Sequence, residues 1–224
     1  MTTDGVHDYI RQTANGLQQD QLFNRIVVYR QNPLPQDVDL KSVLKKIEEK
    51  IPQFLFNDID SIFIGQFSFL KEKEVSAIYE DGAIYLTNEQ ESEDDFYSDI
   101  THELAHAVEE TYPLEIYGDR IIEQEFLAKR RSMSEILNAH GYNKFGVEKY
   151  FQTEYSIDFD LYLYEEVGYP ILHTLLEGLF VSPYGATSLR EYFANSFEEF
   201  YSGDVFYVKS ISPAVYKKIV DIQS

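Results

Sequence analysis

Cysteine and tryptophan are both missing from the 224 residues of this chain. The absence of cysteine excludes disulfides, thiolate metal ligands and a cysteine nucleophile, so any metal must be held by His, Asp or Glu. Positive charge is scarce. Nineteen Lys and Arg stand against 39 Asp and Glu, a formal net charge of −20. That balance disfavours nucleic acid and anionic membranes as partners. Its simplest meaning is a solvated acidic surface, and its functional meaning is a partner or substrate with basic flanks. Long apolar runs are also lacking. Met1 to Asp20 is polar with no apolar stretch of the kind a signal peptide needs, and nothing later is long enough to span a membrane. The expectation is a cytosolic chain or a mature exported form, with no membrane insertion.

What is present suits a globular enzyme-sized domain. Hydrophobic residues make up 44%, and 18 Tyr and 16 Phe supply an aromatic-heavy core and groove lining. Residues 1–20 are expected to be an N-terminal arm or short helix. Residues 21–224 are expected to be one domain, α/β over 21–112 and helical over 113–224.

In chain order, Asn24 to Arg30 reads as a first strand, and Asp39 to Ile47 has apolar residues at helical spacing. Ile59 to Phe67 reads as a second strand. Val75–Tyr79 and Ala83–Thr87 flank Glu80-Asp81-Gly82, a hairpin signal. Glu89 to Asp95 is expected to be a solvated loop. Downstream, Arg120 to Ala139 predicts a long amphipathic helix ended by His140-Gly141. Residues 141–160 show no clean period. Leu161 to Val181 predicts a helix interrupted near Gly168-Tyr169-Pro170. Ser188 to Tyr201 predicts a strong helix, and Ser212 to Val220 a closing one with Pro213 in its first turn.

The chain is organised around His102-Glu103-Leu104-Ala105-His106, an H-E-x-x-H sequence. A four-residue spacing puts both imidazoles on one helical face, where they can hold a single zinc ion. Glu103 would lie beside the metal, able to take a proton from a water activated there. Ser98 or Asp99 can cap this helix, Ile100, Leu104, Ala107 and Val108 can form its buried stripe, and Tyr112-Pro113 can end it. In zinc peptidases the strand before such a helix is the sheet edge onto which an extended peptide is laid. Ala83, Ile84, Tyr85 and Leu86 are therefore the expected substrate-binding residues.

A catalytic zinc needs a third protein ligand and an open position. His140 and His173 lack the short H-E-x-x-H-x-x-G-x-x-H spacing, because Tyr112, Pro113 and Leu114 occupy that region. Glutamate is favoured, with Glu191 on one side and Glu123 or Glu125 on the other. Glu191 sits among aromatic and small residues, and Asn195 one turn later could support a ligand by hydrogen bonding.

The stretch Tyr184-Gly185-Ala186-Thr187-Ser188-Leu189-Arg190-Glu191-Tyr192-Phe193-Ala194-Asn195-Ser196-Phe197 resembles the second signature of the anthrax lethal factor catalytic domain. That family includes secreted Pro-Pro endopeptidases. Its H-E-x-x-H helix is similar to His102–Val108, and its closing helix to Ser212–Ile222. The resemblance covers the last third of the chain plus the motif helix. It implies an α+β, minimal zincin-like fold: a small mixed sheet with an edge strand before the motif helix, then a mostly helical C-terminal half. It also implies zinc bound by His102, His106 and Glu191, Glu103 as general base and Tyr184 polarising the scissile carbonyl. The interval from His106 to Glu191 is longer than in that family, so residues 115–180 would include an insertion able to shape a different groove.

The function expected is a zinc-dependent endopeptidase acting on an extended peptide or protein substrate. Two rivals stand beside it. One is a cytosolic regulatory metallopeptidase of the repressor-cleaving type, which pairs H-E-x-x-H with an E-x-x-A-[DN]-x-F helix. The other is a metal-stabilised binding or structural protein with no turnover.

Overall fold

The computed structural model describes residues 18–224. Residues 1–17 of the anticipated arm lie outside that range, and residues 18–20 belong to the first strand. The fold is α+β, with a five-stranded mixed sheet in the first half and helices through the second. The chain divides into two compact units, Met1–Ala107 and Val108–Ser224. Among the described residues no helix is long and apolar enough to cross a membrane.

The N-terminal unit contains β1 (Gln18–Leu22), β2 (Ile26–Arg30), β3 (Ser61–Gly65), β4 (Ala77–Glu80) and β5 (Ala83–Thr87). Their spatial order is β1-β2-β3-β5-β4. The two outer pairs are antiparallel, while β2–β3 and β3–β5 are parallel. Helix α1 (Leu40–Lys50) carries β2 across to β3, with the Asp39 carboxylate capping it by accepting from Lys41 N at 3.0 Å. The short α2 (Ser68–Lys73) follows β3.

Register explains the sheet's composition. Tyr29, Phe63 and Tyr85 are paired across β2, β3 and β5, and their rings stack at centroid distances of 5.1 and 5.2 Å. Phe67 and Phe69 close on Tyr85 edge-first at 5.5 and 5.3 Å. The opposite face presents Val28, Ile62, Ile64, Ile84 and Leu86, all fully buried. Both faces are covered, so β3 and β5 read as continuous apolar runs. The β4–β5 turn is Asp81-Gly82, with φ of 48° and 78°, the backbone that an Asp-Gly two-residue hairpin requires.

The expected substrate edge, residues 83–86, is not an edge. Ala83, Ile84, Tyr85 and Leu86 lie in β5, which bonds to β3 on one side and β4 on the other, and all four are buried. The last strand in sequence is not the last strand in space, because the hairpin folds β4 outward. Among the described residues, β4 is the terminal strand on that side.

Helix α3 (Glu93–Thr111) carries the motif and starts earlier than Ser98 or Asp99. The Ser92 hydroxyl accepts from Asp95 N at 3.2 Å, so Ser92 caps the helix. Glu93, Asp94 and Asp95, anticipated as loop, form the first turn, where their charge complements the amide ends. Asp94 also pairs with Lys46 at 2.6 Å, and that ammonium holds its carboxyl below the usual range.

The C-terminal unit contains α4 (Pro113–Tyr117), α5 (Ile121–Ala139), α6 (Ile157–Leu161), α7 (Tyr169–Leu175), α8 (Leu189–Ser202), α9 (Val205–Ile211) and α10 (Pro213–Ile222). A π-helical turn, Tyr162–Val167, joins α6 to Gly168, whose φ of 85° breaks the helix before α7. The core of this unit includes Ile122, Phe126, Met133 and Leu137 of α5, and with them a charged residue, Arg130. Its guanidinium donates to the carbonyls of Ala186 (2.6 Å), Thr187 (3.2 Å) and Lys149 (3.0 Å) and lies 4.1 Å over the Phe159 ring. Burial pushes its pKa down to about 10, still far enough above neutrality to keep it cationic.

Arg130→Met should therefore destabilise the protein by about 3 kcal/mol, since three carbonyls lose a charged donor. Urea denaturation checks this, and an unchanged midpoint would refute the role given to Arg130.

Candidate metal centre

His102 and His106 stand one turn apart on α3 with ring centroids 5.1 Å apart, both half-buried. Ile100, Leu104, Ala107 and Val108 are buried, as the helical period predicts, and they fix which face the imidazoles occupy. Glu103 is 8% exposed, and its Oε2 accepts from Tyr79 N of β4 at 2.5 Å. The motif acid thus meets the main chain of the terminal strand.

Glu191 occupies the first turn of α8. Ser188 caps this helix through its hydroxyl, which accepts from Glu191 N at 3.1 Å. Ser188 and Glu191 have the spacing of a capping box, and the amide end of the helix favours a carboxylate there. One donor atom from each of His102, His106 and Glu191 can be chosen so that all lie within 4.8 Å of one another. A tetrahedral ion with bonds of about 2.1 Å holds its ligands roughly 3.4 Å apart, so modest contraction would close this set on a metal. Two imidazoles and a carboxylate are a donor set that a borderline-soft divalent ion accepts.

The other candidates are engaged elsewhere. Glu123 forms a paired contact with Arg120 at 2.9 and 2.6 Å. Glu125 accepts from Tyr192 OH at 2.8 Å and from Ala214 N at 3.0 Å, joining α5 to α8 and α10. His140 ends α5 with Nδ1 2.8 Å from Ile136 O, and His173 is exposed on α7. Asn195 does not reach for a ligand's side chain in the contacts resolved. Its Nδ2 donates to the Glu191 main-chain carbonyl at 3.0 Å, and its Oδ1 accepts from Ser182. It braces the turn before α8 instead.

Tyr184 lies in that turn, a single 3-10 turn over Tyr184–Ala186. Thr187 N and its hydroxyl both donate to Tyr184 O, at 2.9 and 2.7 Å. Gly185 lets the turn close on α8, because a Cβ there would meet Asn195 Cβ at 3.3 Å. Burial, then the Glu191 carboxylate, pushes the Tyr184 phenol well above its ordinary pKa. It remains a proton donor throughout the neutral range.

A second buried acid on α3 escaped the sequence reading. Glu109, 4% exposed, accepts from Tyr117 OH and faces Arg190 Nε at 3.4 Å. Burial alone would lower the Arg190 guanidinium's pKa, but Glu109, Glu110 and Tyr117 together act upward and the net shift is upward. Glu109 follows His106 by three residues, and Arg190 directly precedes Glu191. Its position seven residues after His102, on the same helical face, was the available signal. Comparison of the chain with known protein families, curated proteins and solved structures finds no match.

Purified protein reconstituted with zinc should bind about one ion per chain. Glu191→Ala should weaken binding at least tenfold, while Glu123→Ala should leave it unchanged. Elemental analysis and competition with a chromogenic chelator read both outcomes, and the reverse pattern would move the third ligand to α5.

Proposed function

We propose that this chain is a zinc-dependent endopeptidase of zincin-like build, similar in its site to the lethal factor family. The observation that carries the reading is the convergence of His102, His106 and Glu191 with a buried glutamate, Glu103, inside the same motif. A purely structural site has no use for that acid. A zinc ion, when bound, supplies Lewis acidity that activates water and polarises a carbonyl.

The residues of the chain supply the rest. His102, His106 and Glu191 hold the ion. Glu103 takes a proton from the attacking water and passes it to the leaving amine, as a general base and then a general acid. Tyr184, kept protonated, donates a hydrogen bond to the oxygen on which negative charge develops. The substrate pairs with the outer side of β4 as an added strand. In doing so it competes with Glu103 for the amide of Tyr79. Ala83–Leu86 act from behind, holding β4 in place.

Glu103→Gln should lower kcat/KM by about 100- to 10,000-fold and leave zinc binding intact. Tyr184→Phe should lower kcat by about 100-fold or more with little change in KM. A pool of internally quenched peptides, incubated with the zinc-loaded protein, provides the assay. Equal cleavage by wild type and Glu103→Gln, or no cleavage by wild type, would defeat the endopeptidase reading.

A further inference from the structure

The segment between α5 and α8 builds a feature that the proposed hydrolysis does not use. Its inner side is packed. Phe159 and Tyr162 are buried, with the Arg130 guanidinium against the Phe159 ring. Asp160, next to Phe159 on α6, turns the other way and is only half-buried. Tyr155 OH donates to Asp160 Oδ2 at 2.6 Å, and Tyr169 OH lies 3.3 Å from Oδ1. The Tyr164 ring meets the Tyr169 ring edge-first at 5.3 Å. Tyr155 and Tyr164 are 50% and 62% exposed, far more than aromatic rings serving a core.

The position of this cluster is set by a main-chain bond. Leu189 N, at the start of α8, donates to Thr153 O at 2.8 Å. Thr153 precedes Tyr155 by two residues, and Leu189 precedes Glu191 by two. The cluster is therefore anchored to the same helical end that presents Glu191.

We propose that Tyr155, Asp160, Tyr164 and Tyr169 form a subsite beside Tyr184 that receives the Lys or Arg side chain of a peptide substrate. The inference rests on the endopeptidase reading and adds its specificity. A carboxylate offers about four acceptor positions. The two phenols engage one oxygen each, which fixes the group and leaves room for a cationic donor. A cation held there could also lie against the exposed rings of Tyr155 or Tyr164. A neutral side chain gains neither interaction and must displace water from the carboxylate. The net charge of −20 works in the same direction by attracting basic peptides over a longer range. Asp160, Tyr155 and Tyr169 also act electrostatically on Tyr184, raising its pKa after burial and Glu191 have done so, which agrees with their nearness.

The test uses a peptide cleaved by the zinc-loaded protein, with one arginine scanned through positions around the scissile bond. Each arginine is compared with citrulline, its neutral isostere. At one position arginine should raise kcat/KM about tenfold over citrulline. Asp160→Asn keeps the shape and should bring that ratio to within about twofold, and Tyr164→Ala, at an exposed ring, should reduce it about threefold. A ratio near one at every position in wild type, or one that survives Asp160→Asn, overturns the subsite while leaving the endopeptidase reading intact. If no peptide is cleaved, calorimetric titration of the same peptides decides. Tighter binding of arginine by about tenfold, lost in Asp160→Asn, keeps the subsite and removes the peptidase. Equal or undetectable binding removes the subsite as well.

Discussion

Everything at the candidate centre depends on the pitch of one helix. α3 runs for 19 residues without interruption. At 3.6 residues per turn, positions four and three apart share a face. His102, His106 and Glu109 therefore fall along one stripe, and Glu103 lies about 100° round from His102, toward Tyr79 of β4. A proline or a register slip anywhere between residues 102 and 109 would separate these groups. The opposite stripe of Ile100, Leu104 and Ala107 carries no chemistry, but its burial stops the helix rotating.

The C-terminal unit solves a different problem. A chain with few cations places two of them side by side in α5, the half-buried Lys129 and the buried Arg130, and gives both to main-chain carbonyls. Lys129 Nζ donates to Leu179 O and Ile211 O, each at 2.5 Å. Burial lowers its pKa, with Glu125 acting in the opposite sense. These are loop and helix-end carbonyls, which an α-helical unit with long connections must satisfy somehow. A single guanidinium that reaches Lys149, Ala186 and Thr187 ties two further chain segments to α5 at once. The turn bearing Tyr184 is one of them.

The local features were readable before the fold was known. The H-E-x-x-H period, the Asp-Gly hairpin turn, the helix from Ser188 to Tyr201 and the Pro213 start each depend on a few neighbouring residues, and the structure contains all of them. Spatial order was not readable. Nothing local distinguishes β5 from an edge strand, because a continuous apolar run tells of two covered faces and not of two paired sides. The Gln-rich β1 has weak intrinsic strand preference and is formed by its pairing with β2. Residues 141–160 had no clean period because they pass from a 3-10 turn into the short α6, each with a different repeat, and a π turn follows at Tyr162–Val167. Asp160 and Tyr169 come together across that irregular stretch, so no spacing rule links them.

Two buried acids on one helix raise the question of which belongs to structure and which to chemistry. Removing a carboxylate from water costs several kcal/mol unless its lone pairs are met. Glu109 is met by a phenol and a guanidinium, a closed arrangement that joins α3 to α4 and α8. Such a group could be exchanged, together with its partners, for apolar residues without loss of stability. Glu103 accepts from the main-chain amide of Tyr79 on β4, so part of its desolvation is offset by the sheet itself and not by side chains that could be exchanged with it.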